Sequence, residues 1–205
     1  MHTHYLCFLS MLLICCSVKG QDVGLGMTHS VGAGLVNLSG HIPKNERSLA
    51  LAAAGGVGVH IGISRRISIE TGVYFEHKGM THLSRREDPL GSAFTVISRN
   101  AGRINYGTLP VMCRWSKKIG KRKFFFQAGP YASYLLGGNY FYTARENWDM
   151  GLMTGVGIVL PCDEHNRLIF ELRHSEGLYN ISGNPHYPVR TRGTYLVFGV
   201  HMGKI

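Results

Sequence analysis

The chain has 205 residues, room for one domain of ordinary size, and carries 27 glycines, about twice the average usage of roughly 7%, with only 17% charged residues. Mean hydropathy is neutral, which excludes both a bundle of membrane helices and a wholly disordered chain. The formal net charge is +10, but the basic residues fall in short clusters (Arg65-Arg66, Arg85-Arg86, Lys117-Lys118, Lys121-Arg122-Lys123) between apolar segments, not along one helix or stripe, which argues against a nucleic-acid module.

In chain order, residues 1–20 read as an export signal, and residues 21–205 as one domain. The apolar run over 5–16, about 12 residues, is too short to span a bilayer as a helix, and the expected cut lies between Gly20 and Gln21. The start is unusual in carrying His where Lys or Arg is customary. A lipoprotein reading would anchor Cys15 or Cys16, but Leu13 and Ile14 are bulkier than such a signal takes. Cys7, Cys15 and Cys16 would leave with the signal. Cys113 and Cys162 remain, either as one bridge or as one lipid-facing and one turn cysteine.

The rest of the chain repeats a hairpin. A strand over about 22–34 comes first. Then "GGVGVHIGIS", the turn "RR" and "ISIETGVYFEHKG" form one hairpin. "INYGTLPVMCRWS", "KKIGKR" and "KFFFQAGPYASYLL" form a second. "DMGLMTGVGIVL", "PCDEHN" and "RLIFELRHSEGLYN" form a third, and a strand over about 191–204 closes the count at eight. Long connections are expected at about 35–52, 80–102, 137–147 and 181–190. Short turns alternating with long loops are the mark of an outer-membrane barrel, with the turns in the periplasm.

Each strand has one large-apolar face and one face of glycine, hydroxyl, aromatic and charged residues. Ile67, Ile69, Val73 and Phe75 oppose Ser68, Glu70, Gly72, Tyr74 and Glu76. Met150, Leu152, Val156, Ile158 and Leu160 oppose Asp149, Gly151, Gly155 and Gly157. Val57, Val59, Ile61 and Ile63 oppose Gly58, His60, Gly62 and Ser64. Leu196, Phe198, Val200 and Met202 oppose Tyr195, Val197, Gly199 and His201, and Leu168, Phe170 and Leu172 oppose Glu171 and Arg173. A soluble barrel would turn the apolar face inward. Glycine and ion-pairing groups make a poor apolar core but suit the crowded interior of an eight-strand barrel. The expected fold is therefore all-β, an eight-stranded antiparallel up-and-down transmembrane β-barrel in the outer membrane of a Gram-negative bacterium. Two aromatic girdles are expected: Trp115, Phe124, Phe125 and Phe126 at the turn end, and Tyr74, Tyr134, Tyr140, Phe141, Tyr142, Trp148 and Tyr179 at the loop end.

The segments "GVYFEHKG" (72–79), "YGTLPV" (106–111), "AGPYASYLL" (128–136), "DMG…GVG" (149–157) and "GLYNI" (177–181) resemble, in this order, the PorT-like outer-membrane β-barrel family of Bacteroidetes, over essentially the whole mature chain. The chain departs from that pattern at Thr108, where the family usually has an acid, and in ending "HMGKI" where an aromatic is common. The resemblance implies an outer-membrane barrel and, through the founding member, an association with type IX protein secretion.

Glu70, Glu76, Arg114, Gln127, Glu171, Arg173 and His201 are expected in the lumen. They can form an ion-pair network that fills the barrel, or a pore lining, or a catalytic set. Buried charges need partners, and three acids facing two arginines favour the filling. Arg114 and Glu70 are the expected partners of Glu171 and Arg173. His174-Ser175-Glu176, His77 and His82 could mimic the rim sites of barrel enzymes, but no motif fixes a geometry, so no catalytic residue is assigned. The glycine clusters follow no strand-to-helix turn and match no phosphate loop. No metal-ligand spacing or cofactor motif stands out. Lys44, Arg47, Arg85, Arg86, Arg99 and Arg103 in the long connections are candidates to contact lipopolysaccharide phosphates, or form a solvated rim. The expected role is structural or interactive, with secretion-system proteins as candidate partners and no nucleic acid. The alternatives are a narrow passive channel and a lipid-modifying enzyme of the barrel type.

Overall fold

The computed structural model describes residues 24–40, 50–86, 96–139, 146–163, 166–182, 185–186 and 188–203, with side chains left out at 38, 40, 79–86, 96–102, 139 and 203. The candidate signal at 1–20, Lys44, Arg47, Tyr140, Phe141, Tyr142 and the side chains of His82, Arg85, Arg86 and Arg99 therefore lie outside the described residues. Eight strands follow in order: β1 Leu25–Gly40, β2 Ala50–Gly62, β3 Ile67–Arg86, β4 Val96–Ile119, β5 Arg122–Asn139, β6 Trp148–Pro161, β7 Asn166–Gly177 and β8 Val189–Gly203. Each pairs antiparallel with the next, and β8 returns to β1 from Gly26↔Gly203 to Gly40↔Val189, closing the barrel. Closure removes the sheet edges, so backbone groups can be satisfied within lipid.

Period-two alternation sorts the side chains. Val31, Val57, Val73, Leu109, Val156, Leu172, Leu196 and Phe198 point outward and are exposed. Such a continuous apolar exterior is stable only when lipid covers it. Trp115, Phe124 and Phe126 mark the turn end of this belt, and Tyr134, Trp148 and Tyr179 the loop end. Tyr134 and Trp148 pack edge to face, centroids 5.0 Å apart. Two expected girdle members face the other way. Tyr74 and Phe125 share the parity of Glu70 and Gln127 and are buried inside the barrel.

The strands also run further than the alternation alone indicates. β1 continues to Gly40, β2 starts at Ala50, and residues 79–86 pair with 96–103 where a long loop was expected. The turn "KKIGKR" shrinks to Gly120 and Lys121, because Gly120 takes a φ of 61° that closes a two-residue turn. β7 ends earlier, at Gly177, because Leu178 and Tyr179 both donate backbone hydrogen bonds to the Met150 carbonyl (2.8 and 3.1 Å) and turn the chain over the barrel end. Cys113 and Cys162 are free and exposed, which corrects the bridged alternative: one sits on the lipid face of β4 and the other in the turn after β6.

Pro110 has no N–H for the ladder, and the register passes from Thr71↔Val111 to Tyr74↔Thr108 across it. The Thr71 hydroxyl donates to the Pro110 carbonyl at 2.8 Å and so ties β3 to β4 at that point.

Candidate functional site

The interior holds the chemistry. Glu70, Glu76, Arg114, Gln127, Glu171, Arg173 and His201 are all buried within the barrel. Five of them form one connected circuit. Arg114 pairs with Glu70 through Nη2 and donates from Nε to Gln127 Oε1 at 2.8 Å. Gln127 Nε2 donates to Glu171 Oε1 at 2.7 Å. Arg173 donates from Nε and Nη2 to the two oxygens of Glu171, both at 2.9 Å. Its Nη2 lies 3.7 Å from Glu70, which closes the circuit. Glu171 is thus held by Arg173 and Gln127, while the expected Arg114 reaches it through Gln127. Tyr74 donates its hydroxyl to Glu70 at 3.2 Å, and the Arg114 guanidinium lies over the Phe125 ring at 4.1 Å.

The circuit reaches from β5 to β7 past β6. It can do so because Gly155 stands between Gln127 and Arg173 in the register. A Cβ there would collide with the Glu171 carboxylate and the Gln127 stem. The small residue is space for the salt bridge.

Glu76 belongs to a second cluster nearer the loops. Lys78, fully buried, lies 3.2 Å from Glu76 and 3.6 Å from Asp149, with its ammonium 4.9 Å from the centre of the Tyr106 ring. Thr191 and Tyr131 both donate their hydroxyls to Asp149, at 2.6 and 3.4 Å. Thr108 and Ser133 share a buried hydrogen bond at 2.8 Å, so the hydroxyl at the position where an acid is common is satisfied by its cross-strand neighbour. Above this layer Ile104, Tyr106, Leu135, Ile181 and Val189 form an apolar cap. Ile181 comes from the β7–β8 connection, which folds inward: its N–H donates to the Val189 carbonyl at 2.9 Å, and Asn180 Oδ1 accepts from the N–H groups of Ser182 and Val189.

His201 stands apart from both clusters. It bonds Thr28 at 3.1 Å and packs edge to face on His60, centroids 5.4 Å apart. The motif 174–176 is split by the strand itself. Ser175 is buried inside, while His174 and Glu176 face outward. There His174 contacts Thr194 at 2.9 Å, and Glu176 takes a bidentate pair from Arg192 at 2.6 and 2.8 Å. His77 contacts Asn105 at 2.7 Å, and Arg103 is exposed. No group of three or more metal-ligating side chains occurs among the described residues. Lys78, Asp149, Tyr131 and His60 complete the interior without having been singled out as a set. Each lies on the inward parity of its strand, so the alternation carried the signal.

A closed antiparallel barrel, apolar outside and ion-paired inside, is an integral outer-membrane protein located by its exterior in that membrane. The chain belongs to the outer membrane protein beta-barrel domain family, whose sequence profile matches residues 21–183. No curated protein matches its sequence. Its fold is similar to that of OprG from Pseudomonas aeruginosa (9% identity, TM-score 0.53, covering 91% of this chain and 99% of that one). It is also similar to Neisserial surface protein A (12%, 0.50, 87% and 97%) and to a major outer membrane protein from Thermus thermophilus (14%, 0.50, 87% and 98%).

Proposed function

We propose that this barrel is a closed structural or interaction component of the outer membrane, acting through its two rims and not by transport through its lumen. The observation that carries the reading is the connected circuit of Glu70, Arg114, Gln127, Glu171 and Arg173 across the interior, with the Ile181 cap above it. A network in which each carboxylate faces an arginine, Glu70 with Arg114 and Glu171 with Arg173, fills an eight-strand barrel and leaves its charges balanced. The PorT-like order of motifs supports a place beside protein-secretion machinery, with lipopolysaccharide and secretion-system proteins as its neighbours. The separation of Ser175 from His174 and Glu176 onto opposite faces of β7 supports a non-enzymatic role, since a nucleophile and its base must share a side. Planar-bilayer recording of the refolded protein tests the reading: a silent membrane is expected, and reproducible unitary steps from the unaltered chain would overturn it. Loss of a lipid-modifying or proteolytic activity in His174→Ala would overturn the non-enzymatic part.

A further inference from the structure

The short-turn end of the barrel is strongly basic. Arg65 and Arg66 occupy the β2–β3 turn, and Lys117, Lys118, Lys121 and Arg122 surround the β4–β5 turn. In the described part of the third turn the acid is Asp163, and it is engaged by the backbone and side chain of Asn166 at 2.6 and 2.8 Å. Arg66, Lys117, Lys118, Lys121 and Arg122 have no acidic partner among the described residues. The lumen does not compensate this charge, because Lys78, Arg114 and Arg173 are each paired with lumen acids.

The β4–β5 hairpin also extends past β3, while β6 stays paired with its other edge as far as Lys123↔Val159. β3 begins at Ile67, opposite Trp115, so residues 116–119 and their partners 122–125 continue past it. The last tie to that neighbour is the Ser116 N–H, which donates to the Arg66 carbonyl at 2.8 Å. On the outward face the cross-strand pairs are Trp115↔Phe126, Lys117↔Phe124 and Ile119↔Arg122. All six side chains are exposed. This face continues the lipid belt of Leu109 and Cys113 without a break.

We propose that the outward face of the β4–β5 hairpin, built from Lys117 and Arg122 with the exposed turn residue Arg66 beside it, binds the headgroups of anionic phospholipids in the inner leaflet. Cations interleaved with exposed aromatic and aliphatic groups suit the level where phosphate meets acyl chain. The stems of Lys117 and Arg122 lie along the apolar neighbours while the charged ends reach the phosphates. A soluble acidic partner would instead use cations clear of the membrane, which describes Lys118 and Lys121 near the turn tip and not Lys117 and Arg122. The site rests on the outer-membrane placement of the barrel and is independent of whether the lumen conducts.

The test is lipid selectivity. The refolded protein is placed in phosphatidylcholine bilayers containing spin-labelled phosphatidylglycerol or spin-labelled phosphatidylcholine, and the immobilised fraction of each label is compared. A cation near an anionic lipid surface contributes enough for about fivefold enrichment at low salt. Wild type is therefore expected to hold phosphatidylglycerol about fivefold over phosphatidylcholine, with the ratio falling towards one as salt rises. The variant Arg66→Gln/Lys117→Gln/Arg122→Gln is expected to lose the preference, and Lys118→Gln/Lys121→Gln to keep it, both with the heat-modifiable gel migration of a folded barrel. No preference in wild type would overturn the proposal. So would a preference that survives in the trio variant, or one lost in the tip pair alone, the pattern of a surface built for a soluble acidic partner.

Discussion

Arg114 shows how tightly the interior is specified at the scale of one side chain. Its three contacts, to Glu70, Gln127 and the Phe125 ring, come from three positions on β3 and β5. Removing one member of a buried ion pair strands its partner, typically at about 3–5 kcal/mol, whereas replacing both with apolar groups is often close to neutral. Arg114→Met is therefore expected to cost about 3 kcal/mol, near the lower end because Tyr74 and Arg173 still reach Glu70. Glu70→Leu/Arg114→Met should recover most of that loss. Urea unfolding in lipid vesicles checks both, and a single variant as stable as wild type would remove the network from the list of what holds the barrel. The residues of this circuit were legible in the sequence because each interrupts an apolar alternation with a charge or an amide. Lys78 was not singled out, although it has the parity of Glu76 and lies in the expected strand "ISIETGVYFEHKG": between His77 and Gly79 it interrupts no apolar alternation.

At the scale of the strand, the alternation revealed position better than length. Residues 79–86 and 96–103 pair as regular ladder, yet they look like loop in the sequence. The physical reason is that hydrogen bonding continues beyond the bilayer while the outward face stops being apolar once it leaves lipid. β1 and β2 also reach further than 34 and 55, and there the outward face stays apolar at Leu35 and Leu51. Prolines are the second thing that strand patterns under-describe. Pro110 sits inside a strand of a closed barrel, where proline is ordinarily excluded, and the β3–β4 pairing skips it. The Thr71 hydroxyl supplies the missing tie to its carbonyl. Thr71→Val keeps the shape and removes only that donor, so it should destabilise by about 1 kcal/mol. The same unfolding measurement reads the effect, and Thr71→Ser, which restores the hydroxyl, should return at least half of it. Equal stability of all three proteins would mean that the β3–β4 seam does not depend on this bond.

For the whole molecule, the proposed closure rests on two layers in series. The lower one is the Glu70–Arg114–Gln127–Glu171–Arg173 circuit. The upper one is the Glu76–Lys78–Asp149 cluster with Tyr106, Tyr131 and Tyr195, roofed by Ile181. Different strands dominate each: β4, β5 and β7 below, β3, β6 and β8 above. Ion flow through barriers in series is set by the tighter one, so opening either alone leaves the path shut. A barrel carrying Glu70→Ala, Arg114→Ala, Glu171→Ala and Arg173→Ala is therefore expected to remain silent in planar bilayers, despite a widened lower half. Adding Lys78→Ala, Tyr131→Ala and Ile181→Gly should give steady unitary currents. If the lower set alone conducts, the upper layer is not a seal, and the roofing role assigned to Ile181 is wrong. If the combined variant is silent while still folded by gel migration, something other than these two layers closes the lumen. The lower set removes two acids and two arginines together and leaves the net charge unchanged, whereas Lys78→Ala leaves Glu76 and Asp149 without their cation, so the currents of the combined variant should favour cations.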